Sequence, residues 1–208
     1  MVPSVAPMTS IAGVVALVAL TTVVAALGYL HLEPTGLSPV RNAVSQYGIT
    51  AFKVGYRVAT IAFGVAAVAL AVGIDRVAGK DGRELVVVLL VLFALARGAI
   101  SWFPMDVPGT ARTSTGQMHG LLALVAFASA ATAALRFGTV LSQGARWRSL
   151  APVSTALGWA MVACLLGILL ARSSPSLRAR FGAIERGFYL SAIAWFAVFA
   201  VACAANVR

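Results

Sequence analysis

"IAGVVALVALTTVVAALGYL", residues 11–30, runs for twenty residues without a charge. As a helix rising 1.5 Å per residue it spans roughly 30 Å, about the thickness of a bilayer's hydrocarbon core. A cleaved signal would have a shorter apolar run, roughly 7–15 residues, behind a basic segment. No Lys or Arg precedes Ile11, so the run reads as a retained first span. The same reading extends along the chain to Val54–Ile74, Leu85–Ser101, Met118–Arg136, Leu150–Ala171 and Gly187–Ala205. Backbone groups in lipid must be satisfied internally, and strand alternation of the barrel kind is absent, so helices are expected. The predicted fold is all-α: a single polytopic domain over residues 1–208, a bundle of six transmembrane helices with short loops.

Composition agrees. Of 208 residues, 61% are hydrophobic and 11% charged, against about 25% charged in a soluble domain. Mean hydropathy is +0.94. The net charge of +10 falls in short loops, with no basic helix and no aromatic-basic alternation. It points to anionic head groups as partners and away from nucleic acid. Cys164 and Cys203 lie inside apolar runs, outside any CxxC or Cys/His pattern, and read as small buried hydrophobes. No metal site and no cofactor is expected. A haem or metal alternative would have to use His31 and His119, the chain's two histidines.

Six spans place both termini on one side, side A, with the loops Asp75–Glu84 and Phe137–Ser149. Side B holds His31–Lys53, Trp102–Gln117 and Arg172–Arg186, and with them the histidines and most tyrosines and hydroxyls. The raw count of Lys and Arg is nearly tied between the sides. Setting aside Arg41, Arg57, Arg97, Arg112 and Arg186 as members of a site or its surroundings leaves side A, with Lys80, Arg146 and Arg208, as the cytoplasmic face. The expected setting is a multi-pass protein of the cell membrane with cytoplasmic termini.

Three polar stretches face side B. "SPVRNAVSQYG" (38–48) reads as a short interfacial helix, with Ser38 as cap, Pro39 in its first turn and Gly48 at its end. "FPMDVPGTARTSTGQMHG" (103–120) has prolines that stop a helix, and Gly109 for a turn. There Asp106 is expected to fold back on His119, the second residue of its span. "FGAIERGFY" (181–189) sets Glu185 and Arg186 just before the last span, on different helix faces. Arg97 lies about one turn inside its span, where a charge is costly and usually faces the bundle interior; a partner in Asp106 or Glu185 is expected.

Glu33, Arg41, Ser45, Arg57, Arg97, Asp106, His119, Glu185 and Arg186 can therefore converge on one pocket. Guanidinium forks match phosphate and carboxylate, so Arg41, Arg57, Arg97 and Arg186, with Glu185, are candidate ligand-binding residues for a lipid head group or small anion. The enzymatic alternative uses His119 as acid or base, Asp106 as its orienting carboxylate and Ser45 as nucleophile on a head group or ester. No GxSxG, HExxH or aspartate-rich diphosphate motif accompanies them.

The order of these stretches resembles the DUF998 family of six-span bacterial membrane proteins. Ser38, Pro39, Asn42, Ser45 and Gly48 match its first motif; Phe103, Pro104, Asp106, Gly109 and His119 its second; Gly182 and Arg186 its last. The resemblance covers nearly the whole chain. It implies the six-span architecture and a polar site, but no reaction. One departure is "SQYG", where an acid is usual; Gln46 cannot supply an ionised carboxylate there.

Overall fold

The computed structural model describes residues 5–77, 82–144 and 147–205. Lys80, Arg146 and Arg208, which enter the expected charge asymmetry, lie outside the described residues. Seven helices follow in chain order: α1 Val5–Leu32, α2 Lys53–Val77, α3 Arg83–Ile100, α4 Ser114–Gln143, α5 Ala151–Leu170, the single-turn α6 Pro175–Arg178 and α7 Phe181–Ala204. Among the described residues there is no strand.

Six of these helices are long, and each packs on its neighbour in sequence; α7 then closes back on α1. The neighbours alternate in direction. Arg83 at the start of α3 pairs with Asp75 near the end of α2, Nε to Oδ1 3.3 Å. Gly13, early in α1, lies against Ala204 at the end of α7, so these two helix ends share one end of the bundle.

Five helices, α1, α2, α4, α5 and α7, are long and apolar enough to cross a membrane, against the six spans expected. The exception is α3. It has 18 residues, and three of them, Arg83, Glu84 and Arg97, are charged. It nevertheless lies in the ring between α2 and α4.

The core forms around α7. Phe188, Tyr189, Ala192, Trp195, Phe196 and Phe199 recur at helical spacing and are all buried. Phe196 meets Phe63 of α2 and Phe93 of α3 with ring centroids 5.1 and 5.3 Å away. Two polar side chains beside this cluster are satisfied across helices. Trp195 Nε1 donates to Ser154 Oγ at 2.8 Å, and Ser154 Oγ donates to the Ala134 carbonyl at 2.7 Å.

That second bond belongs to a tight α4–α5 contact. A Cβ added to Gly158 would sit 2.8 Å from a Leu135 side-chain carbon and 3.0 Å from the Leu135 backbone nitrogen. The buried residues of α5 are Ala151, Ser154, Gly158 and Met161, all within its first eleven residues. Past Met161 the helix still meets α7, through Cys164 and Gly167, but between it and α4 a cavity begins.

Candidate functional site

The cavity occupies about 580 Å³ between the N-terminal half of α4, the C-terminal half of α5 and the first turns of α7. Its long wall is apolar, formed by Ala123, Leu124 and Phe127 of α4 and Leu165, Ile168 and Leu169 of α5. Its polar end brings together Ser45, Gln46, Asp106, His119 and Glu185, with Arg41, Arg172 and Arg178 among its lining residues. Of the nine residues singled out from sequence, Arg41, Ser45, Asp106, His119 and Glu185 meet here, whereas Glu33, Arg57, Arg97 and Arg186 do not line it.

His119 is held by the loop before it. α4 starts at Ser114, four residues earlier than the expected span, so His119 is buried rather than at the helix tip. Its Nδ1 lies 2.7 Å from the Phe103 carbonyl. A carbonyl only accepts, so Nδ1 carries the proton and, in the neutral ring, Nε2 carries the lone pair. That nitrogen has no hydrogen-bond partner among the described residues.

Asp106, expected to fold back on His119, does not bond to the imidazole. Its carboxylate accepts from the Thr113 hydroxyl at 2.6 Å and from the Thr113 amide at 3.2 Å. Thr113 in turn caps α4, its Oγ1 accepting from the Gly116 amide at 3.0 Å. Asp106 thus secures a helix start, where orphan amides draw a carboxylate. The turn that brings it there has Gly109 at φ +88°, and the Thr110 amide donates to the Val107 carbonyl at 3.1 Å.

Glu185 and Arg186 lie inside α7, which begins six residues before the expected span. As adjacent residues they diverge. Glu185 is buried and its Oε2 accepts from the Val44 amide at 2.7 Å. Arg186 serves as a clamp: Nη1 donates to the carbonyls of Pro39 and Asn42 at 2.7 and 2.8 Å, and Nε donates to His31 Nε2 at 2.8 Å. Gly182, one turn earlier, makes room for this loop, since a Cβ there would collide with the Asn42 and Pro39 carbonyls.

The loop itself is not the short α-helix read from "SPVRNAVSQYG". It makes one turn closed by the Asn42 amide on the Ser38 carbonyl, 2.8 Å, then a 3₁₀ segment Val44–Ile49. Asn42, not Ser38, supplies the capping oxygen, accepting from the Ser38 amide at 2.8 Å. Gly48 lies within the 3₁₀ segment. Competition from the Asn42 side chain and the pull of Arg186 on two carbonyls account for the break.

Arg97 is 2% exposed and is not ion-paired with Asp106 or Glu185; the expected salt bridge is absent among the described residues. Its guanidinium instead lies over Tyr189 and Phe63, 5.3 and 5.9 Å from the ring centroids, within electrostatic reach of Glu185 and Tyr56. Arg57 is exposed and lies over Trp102 at 5.1 Å. Ser45 donates its hydroxyl hydrogen to Met105 Sδ at 3.3 Å rather than to His119, which leaves it without a base. His31 has both ring nitrogens engaged, Nδ1 with the Leu27 carbonyl at 2.6 Å and Nε2 with Arg186, so the ligation by His31 and His119 considered from sequence finds no support in this geometry.

Two features escaped the sequence reading. Arg172 and Arg178 fall in the side B loop with no role expected of them, yet both line the cavity. Arg178 is engaged with the Arg172 and Ala171 carbonyls, while Arg172 and Arg41 have no ion-pair or side-chain hydrogen-bond partner among the described residues. Gln46, set aside as a departure from an acid, is 8% exposed and lines the cavity with its Oε1 unpartnered. Tyr56 Oη and Arg97 Nε are also buried and unpartnered. Such atoms are uncommon in folded proteins and each calls for an explanation.

Apolar helices in a ring, with a polar chamber at one end, define a multi-pass helical membrane protein. The chain belongs to the family described as protein of unknown function (DUF998), whose profile matches residues 8–202. No curated protein and no solved structure matches it.

Proposed function

We propose that the protein binds the head group of a membrane lipid, or a small anion resembling one, in the α4–α5 cavity. The observation that carries this reading is the cavity's two-part lining. An apolar wall leads from Phe127 towards a rim that has the unpaired guanidinium groups of Arg41 and Arg172. Along α4 the lining runs from Gly116 to Phe127, roughly 16 Å of helix. Such a volume lies within the range of about 300–1,000 Å³ common for small-molecule sites. Phosphate at the rim with acyl chain along the wall satisfies both parts, and guanidinium is suited to phosphate.

The test is lipid retention through purification, read by native mass spectrometry. Wild-type protein should carry phospholipid, and Arg41→Ala with Arg172→Ala should lower its occupancy roughly tenfold, the loss of one charge-assisted contact or more. Unchanged occupancy in the double variant would overturn the reading.

A second reading, hydrolysis of a head group or ester, is favoured by one observation: the unpartnered Nε2 of His119, whose tautomer Phe103 fixes. Water rather than Ser45 is the nucleophile consistent with the Ser45–Met105 bond. Release of head group from labelled vesicles, abolished in His119→Gln, would support it; equal release by the variant would remove His119 from any such role.

We further propose a cell-membrane setting with the cavity end external. Ala111→Cys should label with an impermeant thiol reagent on intact cells and Ser149→Cys only after lysis. The opposite pattern would invert the orientation.

A further inference from the structure

His31 and Arg186 share a hydrogen bond that only one charge state of the imidazole permits. Arg186 Nε donates to His31 Nε2 at 2.8 Å, and His31 Nδ1 lies 2.6 Å from the Leu27 carbonyl. A carbonyl only accepts, so Nδ1 carries a proton; Nε2 must then offer a lone pair, and the ring is neutral. A proton added to Nε2 would set two N–H donors and two positive charges against each other. The Leu27 bond survives in both states and keeps Nε2 aimed at the guanidinium. His31 is exposed, so solvent protons reach it, and it lies in the last turn of α1, where a helix end favours a cation. Around the ring, α7 contributes Arg186, and the 3₁₀ segment contributes Tyr47, its ring centroid 5.5 Å from the imidazole. Glu33, just past α1, is engaged with the Tyr29 hydroxyl. α2 approaches this end of α1 through Gly55, against Leu30 and Tyr29. Lys53 and Arg57, on either side of Gly55, are exposed, Arg57 over Trp102.

We propose that His31 and Arg186 form an acid-sensitive latch on the loop that carries the cavity's polar end. Arg186 also holds the Pro39 and Asn42 carbonyls and reaches the Tyr47 hydroxyl at 3.4 Å. Between those anchors the chain supplies Arg41, Ala43, Ser45 and Gln46 to the cavity lining. While His31 is neutral, the guanidinium ties this loop to α1. Protonation turns the His31 acceptor into a competing cation. The guanidinium then draws away from the ring, and residues 38–47 lose their common anchor. Histidine is the side chain whose charge ordinarily changes between about pH 5 and 8, so the latch holds at neutral pH and opens in mild acid. The order it gives the loop is present while His31 is neutral and is lost as pH falls. The latch does not depend on what the cavity binds.

The experiment measures amide hydrogen exchange of the full chain in detergent at about pH 8 and about pH 5, each rate divided by the intrinsic chemical rate at that pH. The bonded amides of Asn42, Val44 and Gln46 report the loop. Wild-type protein should lose protection there by roughly tenfold at the lower pH, the loss of one charge-assisted hydrogen bond. His31→Gln keeps an acceptor for Arg186 and has no charge to gain, so its loop should be equally protected at both pH values. His119→Gln, which removes the chain's other histidine, should retain the wild-type loss. Undiminished protection of the wild-type loop in acid overturns the proposal, and that comparison needs no variant to fold. An equal loss in His31→Gln also overturns it, by assigning the effect to another group such as Glu185, which accepts from the Val44 amide of the same loop. Disappearance of the effect in His119→Gln overturns it in favour of the cavity histidine.

Discussion

Arg186 has the most consequential set of bonds of any single side chain at the cavity end. Its guanidinium reaches the loop carbonyls of Pro39 and Asn42, His31 of α1 and the Gly182 carbonyl of its own helix. Arg186→Ala leaves the Pro39 and Asn42 carbonyls without donors, and each lost bond to a charged group costs roughly 1.5–3 kcal/mol. Thermal unfolding in detergent should therefore fall markedly. Arg186→Lys should recover only part of the loss, because an ammonium cannot reproduce the planar fork; full recovery would mean that charge alone matters. Arg97 is a different case. Its stacking on Tyr189 and Phe63 is worth on the order of 1 kcal/mol to an arginine specifically, so Arg97→Lys should destabilise despite keeping the charge. With no ion pair between them, Arg97→Lys and Asp106→Ala should be additive in a double-mutant cycle, and a coupling above about 0.5 kcal/mol would contradict that separation. Arg97 was legible in the sequence because a charge inside an apolar run is conspicuous. Its partners were not, because a search for opposite charge overlooks aromatic faces. Arg172 was overlooked for the converse reason: a charge in a loop draws no attention until the fold shows which helices the loop joins.

At the scale of elements, the loop 103–120 kept its polarity chiefly to begin a helix. Asp106 bonds to Thr113 and Thr113 caps α4, so Asp106→Ala and Thr113→Ala should each cost about 1 kcal/mol and together much less than their sum. Additivity would show that the two act separately. Prolines, Gly109 and the sequence order made the turn itself predictable. The capping role of Asp106 was hidden because its partner lies seven residues on and the start of α4 had been placed at Met118. Hydropathy locates the apolar centre of a span, not its end, and both α4 and α7 begin as helix in polar residues ahead of that centre. At the opposite end of α4, Gly158 of α5 touches Leu135 backbone. Gly158→Val should force the helices apart at a cost of roughly 1–3 kcal/mol, read as a lowered unfolding temperature. An unchanged temperature would show that α5 can shift freely.

The whole molecule is a ring of helices closed by α7 on α1. Helix content, order and the approximate spans were legible from apolar run length, because bilayer thickness sets that length from outside the protein. The five-against-six difference over α3 has the same origin: Arg83, Glu84 and Arg97 make its composition poor for lipid, and its place between α2 and α4 is what the sequence alone could not supply. The cavity was only half legible, since its polar residues announce themselves, while its apolar wall uses the same leucines as any lipid-facing surface. Leu124 and Leu169 belong to that wall and are 43% and 38% exposed. Leu124→Trp should narrow the cavity and reduce lipid retention without lowering the unfolding temperature; retention at the wild-type level would place the binding elsewhere. The α4–α5 pair is therefore a wedge, shut at the Gly158 end and gaping where Met161 ends the seal. For the lipid occupant proposed above, occupancy of such a wedge would follow the lipid's mole fraction among its neighbours rather than any aqueous concentration.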